Sequence, residues 1–391
     1  MGKEHWLQLA LADGIGPITL KRLIDAAGSA EAACTASLST LRSIEGVGTS
    51  RADQIRAGMQ SAATQVPDQL QRCEALGAQI ICLDDDLYPA LLKTIHDPPP
   101  VLFVRGTLEP RDMNALAIVG SRGCSFYGRE QAQRFAASLA GIGFTIISGG
   151  ARGIDSAAHH GALSHPAGRT ISILGCGVDL VYPPENTALF DQIVQRGAVI
   201  SEYPLGTQPL AENFPRRNRI VSGLSRGIFV IEAAERSGAL ITAHTACEQN
   251  RPVFALPGRV DNKLSSGPHQ LIREGATLVT MIQDIVESLP PVPQELQNQG
   301  LFDPAPSAPA PTTAAAAIAE PAAGPKPSAA LNQLSAEQSQ IFTAIEDATS
   351  VDLVVERSGL PVHIVLRELT MLSLKGLIRR VDGQTYTRGK A

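Results

Sequence analysis

The sequence lacks paired cysteines, an excess of positive charge and long hydrophobic runs. Its six cysteines are scattered and form no CxxC pair, which argues against a zinc ribbon or a disulfide framework and favours a reducing compartment. Its 33 basic and 38 acidic side chains give a formal net charge of −5. That balance excludes a protein coated in positive potential, but it leaves room for one narrow basic site.

No uninterrupted apolar run reaches the roughly 18–20 residues that a membrane-spanning helix needs. The first residues, Met1–His5, lack a basic region followed by an apolar core, so we expect no secretory signal. Together with the unpaired cysteines, these absences predict a cytoplasmic protein without a membrane span.

Composition divides the chain into four segments. Proline and alanine dominate 290–330, which predicts a semi-extended linker that cannot bury a core. Before the linker we expect a helical domain at 1–75 and an α/β domain at 76–289, and after it a small domain at 331–391. At about 150 residues per domain, the length of the chain accommodates this division.

Short apolar runs rich in Val and Ile alternate with helical stretches in the central segment. Because both faces of such strands are apolar, they are typical of a parallel sheet covered by helices on both sides. We therefore predict an extended Rossmann-like, doubly wound α/β fold with a mostly parallel sheet. The predicted strands are Ala115–Val119, Phe144–Ser148, Thr170–Leu174, Ala198–Ser201, Ile228–Glu232, Val253–Leu256 and Thr277–Thr280.

Two Gly-x-Gly turns, at Gly14–Gly16 and Gly46–Gly48, precede helix-like stretches near the N-terminus. This repeat predicts a helical domain of the SAM or helix–hairpin–helix type, and in the latter the hairpin amides hold a nucleic-acid phosphate. The alternative is a set of helix caps in a small bundle without a ligand. Seven basic against eight acidic residues in 1–75 favour that alternative, because phosphate binding needs local cations.

Glycine-containing turns follow three of the predicted strands, at Ile118–Arg122, Ser148–Asp155 and Ile231–Thr242. Glycines let backbone N–H groups approach a ligand, and the helix that begins near Asp155 adds its positive end. All three turns follow the carboxyl ends of strands, where an open α/β sheet binds ligands. None matches GxGxxG with a following acidic residue or GxxxxGK[ST], so we expect a phosphate in another setting.

Residues Phe214–Arg226 contain four arginines and no acidic residue, behind a leading aromatic side chain. At helical spacing Ile220 and Leu224 face the core, while Arg216 and Arg219 fall on one side. An aromatic ring beside arginines is typical of single-strand binding, because the ring stacks a base and the cations neutralise phosphates. Solvated arginines on a helix surface are the alternative.

Patterns for catalysis or metal binding are weak. His159, His160 and His165 have only Asp155 as a nearby carboxylate and no cysteine at ligand spacing, which favours polar packing over a metal site. Glu232 is the best single candidate for a catalytic carboxylate, but it is also placed to bind the amides or arginines of neighbouring loops. We therefore predict no catalytic pair, no metal and no cofactor.

The C-terminal segment has three helix-like stretches followed by a hairpin with a tight turn at Asp382-Gly383. Three helices and a wing are the winged-helix pattern, whose third helix often reads duplex DNA. Seven basic and seven acidic residues in 331–391 leave protein docking or regulation open beside duplex binding.

Eight short motifs spread over most of 76–280 resemble one protein family. They are Ile118–Arg122, Ser148–Asp155, Leu174–Gly177, Tyr182–Asn186, Ser201–Pro204, Pro215–Ile220, Ser237–Ala243 and Gly275-Ala276. In combination they are similar to the DNA-processing protein A (DprA/Smf) family. The helical N-terminus and the winged-helix tail also resemble the long members of that family.

The resemblance implies a cytoplasmic bacterial protein that binds incoming single-stranded DNA during natural transformation. The family protects that strand, assists the RecA recombinase in loading past single-strand-binding protein, forms homodimers through the Rossmann-like domain and is not known as an enzyme. In the family, the arginine at the position of Arg122 and the turn at Gly149–Gly153 shape the DNA pocket. The residues that we predict to contact nucleic acid are Gly120, Ser121, Arg122, Ser148, Gly149, Gly150, Arg152, Gly153, Phe214, Arg216, Arg217, Asn218, Arg219, Ser237, Gly238 and Thr242.

The main alternative is an enzyme with the same sheet topology. Nucleoside-monophosphate phosphoribohydrolases also use glycine-rich turns and a strand-end glutamate, so Glu232 would be catalytic and Arg122 would hold a phosphate. Their proline-glycine-glycine-x-glycine-threonine loop is absent, because Ile231–Ala233 stands in its place. A third alternative is a scaffold with a vestigial pocket, in which both terminal domains bind proteins.

Overall fold

The computed structural model describes residues 2–290, 336–345, 349–360, 365, 369, 372, 377–380 and 385–388. The chain divides into two compact units, Met1–Ala305 and Pro306–Ala391. Apart from residue 290, the predicted linker lies outside the described residues, and its extended character stays a prediction. Within the described residues, no helix combines the length and the apolar character that crossing a membrane requires.

The first unit begins with helices, as the Gly-x-Gly repeat predicts. Gly16 and Gly48 each directly precede a helix. The helix that follows Gly48 has 28 residues and continues past Pro67. Gly77, in the left-handed region at φ 66°, ends it. The helices are α1 (Lys3–Leu11), α2 (Pro17–Ala27), α3 (Ala30–Cys34), α4 (Leu38–Ser43) and α5 (Thr49–Leu76).

Among residues 2–290, nine strands form one sheet in the order β1-β2-β6-β5-β4-β3-β7-β8-β9. Strands β3 to β9 are mutually parallel, and β1 and β2 form an antiparallel pair at one edge. The strands are β1 (Gln79–Cys82), β2 (Val101–Gly106), β3 (Ala115–Val119), β4 (Thr145–Ser148), β5 (Arg169–Ile173), β6 (Gly197–Ser201), β7 (Ile228–Val230), β8 (Val253–Ala255) and β9 (Thr277–Leu278).

Helices cover both faces of this sheet. On β3, Leu116 and Ile118 belong to the hydrophobic core of one face, whereas Ala117 and Val119 belong to that of the other. The helices are α6 (Ala90–Lys93), α7 (Phe126–Gly141), α8 (Ile154–Ser164), α9 (Thr187–Arg196), α10 (Asn213–Gly223), α11 (Gly238–Glu248), α12 (Ser266–Arg273) and α13 (Ile282–Ser288), with 3-10 turns at Pro110–Met113, Pro184–Asn186 and Lys263–Ser265. The doubly wound α/β prediction is confirmed.

Each of the seven predicted strands is present, within one or two residues of its predicted ends. Strands β1 and β2 were not predicted, because a loop of 18 residues containing a single helical turn separates them and breaks the strand–helix alternation. The N-terminal helices share one hydrophobic cluster with this edge, including Trp6, Leu41 and Phe103. Secondary structure changes at the predicted boundary near residue 75, and an independent N-terminal domain stays a prediction.

The second unit has the elements of a winged helix. Helices α14 (Ala336–Ala344) and α15 (Val351–Ser358) are followed by helical, buried Val365, Leu369 and Leu372. Strands β10 (Thr349–Ser350), β11 (Ile378–Arg380) and β12 (Thr385–Arg388) form an antiparallel sheet in the order β10-β12-β11. The predicted Asp382-Gly383 turn lies outside the described residues, but β11 and β12 pair as the wing requires.

Gly58, within α5, tests how tightly the first Gly-x-Gly turn is packed. A Cβ atom there would come within 2.5 Å of the Asp13 carbonyl oxygen, which is backbone and cannot turn aside. We expect Gly58→Ala to lower the free energy of unfolding by about 1–3 kcal/mol, although alanine normally stabilises a helix interior by about 1 kcal/mol over glycine. Denaturant unfolding measures this, with exposed Ser61→Ala on the same helix as the control. A stabilised Gly58→Ala protein would contradict the packing.

His159 on α8 makes folding sensitive to acid. Its ring is buried, with Nδ1 2.7 Å from Thr170 Oγ1, and Nε2 has no hydrogen-bond partner among the described residues. Burial, reinforced by His160 and Arg217, lowers the pKa of His159 to about 3. In the unfolded chain the pKa is about 6.5. The stability contributed by neutral His159 is therefore present above about pH 6.5 and is lost as pH falls towards 3, because the unfolded state takes up a proton first.

We expect the unfolding free energy of the unmodified protein, relative to that of His159→Gln, to fall by about 1.4 kcal/mol per pH unit below pH 6.5. Denaturant midpoints between pH 7.5 and 5 measure this difference. His96→Gln, which removes an exposed imidazole elsewhere in the fold, serves as the control and keeps the acid dependence of the unmodified protein. Parallel pH profiles for His159→Gln and the unmodified protein would refute the assignment.

Candidate functional site

The strand order reverses its direction of growth between β3 and β7. From β3 the chain adds β4, β5 and β6 on one side, and it then returns to add β7, β8 and β9 on the other. Loops that diverge in this way leave a crevice at the carboxyl ends of the strands, where open α/β sheets bind ligands. A cleft of about 660 Å³ opens at this point, lined by the turns that follow β3, β4 and β7 and by α10.

The cleft brings together many of the residues that the sequence singled out, from four separate stretches of chain. This convergence follows from the parallel topology, which delivers each strand-end turn to the same edge of the sheet. The predicted residues that line the cleft are Gly120, Ser121, Arg122, Gly149, Phe214, Arg217, Asn218, Ser237, Gly238 and Thr242.

Two glycines are required by close packing at the base of the cleft. A Cβ atom at Gly120 would lie 2.6 Å from Ile154 Cγ1, and one at Gly149 would lie 2.6 Å from both the Arg217 guanidinium and Asp155 Oδ2. Any larger residue would push these groups apart. The absence of side chains therefore allows the turns after β3 and β4 to close against α8 and α10.

Aromatic and cationic side chains meet on one wall. The exposed Arg122 guanidinium lies over the Phe214 ring, 5.3 Å from its centroid. Tyr182 packs beside Phe214 with 5.7 Å between ring centroids and an interplanar angle of 41°. This cation–π contact orients Arg122 while leaving its N–H donors available, and the two half-buried rings present an apolar surface to the cleft.

A buried positive charge lies beneath the cleft. Arg217, which is 4% exposed, donates from Nη1 to the carbonyl oxygen of Gly149 at 2.8 Å and to that of Ile173. Burial lowers the pKa of Arg217 and raises that of Asp155, and the attraction between the two groups opposes both shifts. Asp155 is the one carboxylate lining the cleft among the described residues, against the cations Arg122, Arg217 and Arg236.

The opposite wall is the start of α11. Ser237 is its N-cap and accepts a hydrogen bond from the Ala239 N–H at 3.3 Å. Gly238 leaves the first turn open, because no atom of the described part of the chain lies within 4 Å of the position that its Cβ would take. The positive end of the helix dipole thus faces the cleft, beside exposed Arg236, and adds to its attraction for anions.

Two predicted residues shape the second turn from behind the cleft surface. Ser148 is fully buried and donates to the Ile118 carbonyl oxygen at 2.6 Å, so it ties β4 to β3. Gly150 has φ 67°, the left-handed region, and packs towards Ser172 and Phe190. Both positions support the turn rather than line the cleft.

The arginines of α10 separate to different surroundings. Arg216 and Arg219 share one side of the helix, as predicted, but that side lines another cavity of about 850 Å³. Arg219 pairs there with Asp97 at 2.8 Å and Glu202 at 2.7 Å, so its charge is already neutralised. Arg226, the fourth arginine of the segment, instead bonds the Asn114 side chain at 2.5 Å, near the amino end of β3.

Arg152 and Gly153 lie on the outer side of the second turn, in a smaller cavity of about 330 Å³. The Arg152 guanidinium forms an exposed ion pair with Glu185. Gly153 has φ 76° and brings this turn against the backbone of Ser121 and Arg122. The second glycine-rich turn therefore separates two cavities, with Gly149 on one side and Arg152 on the other.

Three further residues, Tyr182, Asp155 and Arg236, line the cleft and were not among the predicted nucleic-acid contacts. Asp155 and Arg236 stand inside two of the glycine-containing turns, so membership of a strand-end turn was the available signal. Tyr182 lies in the loop after β5, at the same sheet edge. Its contact with Phe214 could not be predicted, because the two residues are 32 positions apart in the sequence.

Glu232 holds the fold together at this edge. Its side chain is 2% exposed, and its two oxygens accept hydrogen bonds from the Ser125 N–H at 2.8 Å and the Ser125 hydroxyl at 2.6 Å. The carboxylate thereby anchors the N-cap of α7 to the end of β7. Across the described ranges, no cluster of His, Cys, Asp and Glu side chains could hold a metal ion.

Comparison with known proteins agrees with this arrangement. The family described as DNA recombination-mediator protein A matches residues 79–290, and the DprA winged helix domain matches residues 325–384. Protein Smf of Synechocystis sp. is 36% identical over 99% of this chain and 98% of its own length. The DNA processing protein DprA of Streptococcus pneumoniae is 46% identical over 52% of this chain and 71% of its own length.

The fold also matches a solved structure. The X-ray structure of DprA from Streptococcus pneumoniae superposes with a TM-score of 0.65 at 35% sequence identity, covering 74% of this chain and 99% of that one. Family, relatives and fold thus agree over the α/β unit, and the winged-helix match extends the agreement to the tail. The chain belongs to the DprA/Smf family of DNA recombination-mediator proteins.

Proposed function

We propose that this protein binds single-stranded DNA in the cleft between β3, β4 and β7. The observation that carries the proposal is the lining of that cleft, where Arg122, Arg217 and Arg236 face one carboxylate, Asp155. Although the chain has a net charge of −5, positive charge is concentrated in this cleft. A local surplus of cations suits a polyanion better than a neutral ligand.

The aromatic pair favours a single strand over a duplex. The Phe214–Tyr182 pair, with the Arg122 guanidinium lying over Phe214, forms a π surface. Such a surface can stack only on bases whose own faces are accessible, and stacking within a duplex hides those faces. The volume of about 660 Å³ suits a few nucleotides and not the width of a double helix. Phosphates would meet Arg122 and the start of α11, with bases directed towards the rings.

The proposal does not include a reaction at Glu232. Both of its oxygens are occupied by Ser125, and it does not line the cleft. A base or nucleophile must reach the substrate, within about 3 Å of the reacting atom. We therefore favour binding without chemistry over the phosphoribohydrolase alternative, which release of free base from a nucleotide panel would support instead.

We further propose that the bound strand is passed to the RecA recombinase, in competition with single-strand-binding protein, during natural transformation in the cytoplasm. Membership of a family described as recombination mediators supports this role.

We also propose that the protein forms a homodimer through the Rossmann-like domain. Leu278 of edge strand β9, Met281 at the N-cap of α13 and Val286 within α13 are exposed, at 46%, 55% and 41%. Apolar surface beside the edge of a sheet favours pairing.

Arg122→Ala tests the cleft as the DNA site. The variant removes an exposed guanidinium that charge-assisted bonds would otherwise hold against a phosphate, so we expect about tenfold weaker binding of single-stranded oligonucleotides. The slope of log affinity against log salt should fall by about 0.7 for each lost phosphate contact. Fluorescence anisotropy at several salt concentrations, with single-stranded and duplex probes, measures both quantities.

Arg111→Ala is the matched control, because Arg111 is 51% exposed and lies just before β3, at the opposite end of the strand. It removes the same charge without touching the cleft and should leave affinity and slope unchanged. Equal affinity and slope for Arg122→Ala and the unmodified protein would refute the proposed site. Equal losses of affinity in both variants would show that the effect comes from the change in net charge and not from a contact in the cleft.

Deleting residues 331–391 separates the cleft from the winged helix. All the described residues that line the cleft lie within Met1–Ala305, so we expect the affinity for single-stranded DNA to stay within about twofold of the full chain. Anisotropy measures that affinity, and RecA-dependent strand invasion is measured in parallel. Weaker single-strand binding would assign DNA contacts to the tail, whereas loss of strand invasion alone would assign it protein docking.

A further inference from the structure

A second, smaller cavity, which is lined by Arg152, adjoins the cleft and is not part of the proposed DNA site. It has a volume of about 330 Å³ and lies between α7 and α8, on the outer side of the turn that follows β4. Arg129 and Gln133 of α7 line it, together with Arg152, Ser156 and His160 from the turn and α8. Its inner neighbours, Gly149 and Ala151, belong to the cleft itself, so one short turn divides the two.

The two cavities are joined through the Arg122 loop. The Ile154 N–H donates to the Ser121 carbonyl oxygen at 3.2 Å, and Gly153 packs against the backbone of Ser121 and Arg122. The turn that carries Arg152 therefore rests directly on the loop that carries Arg122. The backbone of Ser121 and Arg122 is therefore the structural connection between the cleft and the second cavity.

The described residues that line this cavity include cations and no carboxylate. Arg129 and Arg152 supply two charges, His160 adds an exposed imidazole, and the described residues give the Arg129 guanidinium no ion pair. Arg152 pairs with Glu185, but the two side chains are 58% and 49% exposed. An ion pair in water contributes little, about 0–1 kcal/mol, so an incoming phosphate can replace Glu185.

Exposed aromatic rings stand at the near end of the same surface. Phe126 is 81% exposed and Tyr127 is 46% exposed, at the start of α7 directly after the Arg122 loop. Phe126, Arg129 and Gln133 follow the spacing i, i+3, i+7, which places them along one face of the helix. A large apolar ring left in water beside cations is the combination that stacks a base and neutralises its phosphate.

We infer that Phe126, Arg129, Gln133, Arg152 and His160 form a second subsite for the same DNA strand. It would receive the nucleotides that leave the cleft past Arg122, with phosphates at the arginines and a base on Phe126. The inference rests on the proposed function, because it assigns a path to a strand already held in the cleft. It adds a length requirement, since only a strand longer than the cleft reaches the subsite.

The test is a length series of oligothymidylates, from about 5 to about 16 nucleotides, titrated against full-length variants by anisotropy. Arg129→Ala and Phe126→Ala should each bind the longest oligonucleotide about fivefold more weakly and the shortest one unchanged. For Arg129→Ala the salt slope should fall by about 0.7 on the long oligonucleotide only. Arg111→Ala is the charge control, and Arg122→Ala should weaken binding at every length.

Glu185→Gln supplies a test in the opposite direction. It releases Arg152 from its ion pair, so binding of the longest oligonucleotide should tighten by about twofold or more while the shortest is unaffected. Both residues are exposed, so a failure to fold is not expected to mimic a gain of affinity.

Equal effects of Arg129→Ala on short and long oligonucleotides would assign Arg129 to the cleft and overturn the subsite. Unchanged binding of the long oligonucleotide by Arg129→Ala and Phe126→Ala, while Arg122→Ala weakens it, would overturn the subsite and leave the cleft standing. No effect of Arg122→Ala at any length would overturn both.

Discussion

The geometry of the cleft depends on the hydrogen bonds that the buried Arg217 guanidinium donates. From α10 it donates to the Gly149 and Ile173 carbonyl oxygens, so one side chain joins the ends of β4 and β5 to the helix that carries Phe214. Breaking the bonds of a buried charge costs about 3–5 kcal/mol, whereas an exposed pair such as Arg152 with Glu185 contributes about 0–1 kcal/mol. Arg217 therefore fixes the geometry, and the exposed arginines remain available to a ligand.

This buried charge also explains how a slightly acidic chain can present a cationic site. Asp155 is the carboxylate that faces Arg217 among the described residues, and the exposed Arg122 and Arg236 with the helix dipole of α11 leave a surplus of positive charge at the mouth of the cleft. Elsewhere carboxylates cancel the arginines, as Asp97 and Glu202 do for Arg219. Net charge describes the sum over the surface, whereas binding depends on where neutralisation is incomplete.

Much of the fold could be predicted because its signals are local. Apolar strands, the glycines of Ile118–Arg122 and Ser148–Asp155 and the alternation of strand and helix each appear within about 15 residues, and parallel topology then requires the turns to share one edge. The antiparallel strands β1 and β2 were missed because a long loop separates two short apolar runs without the strand–helix rhythm. No such local signal showed which arginines would be buried, ion-paired or exposed.

The family, the doubly wound sheet, the winged-helix tail and the sheet edge that carries the glycine turns all follow from the sequence alone. Packing in three dimensions buries Arg217, neutralises Arg219 and places Arg122 over Phe214. The physical reason is that a helix rotates each successive side chain by about 100°, so adjacent arginines face different neighbours. Those neighbours, from Asp97 to Tyr182, come from distant parts of the chain, and only packing brings them to one place.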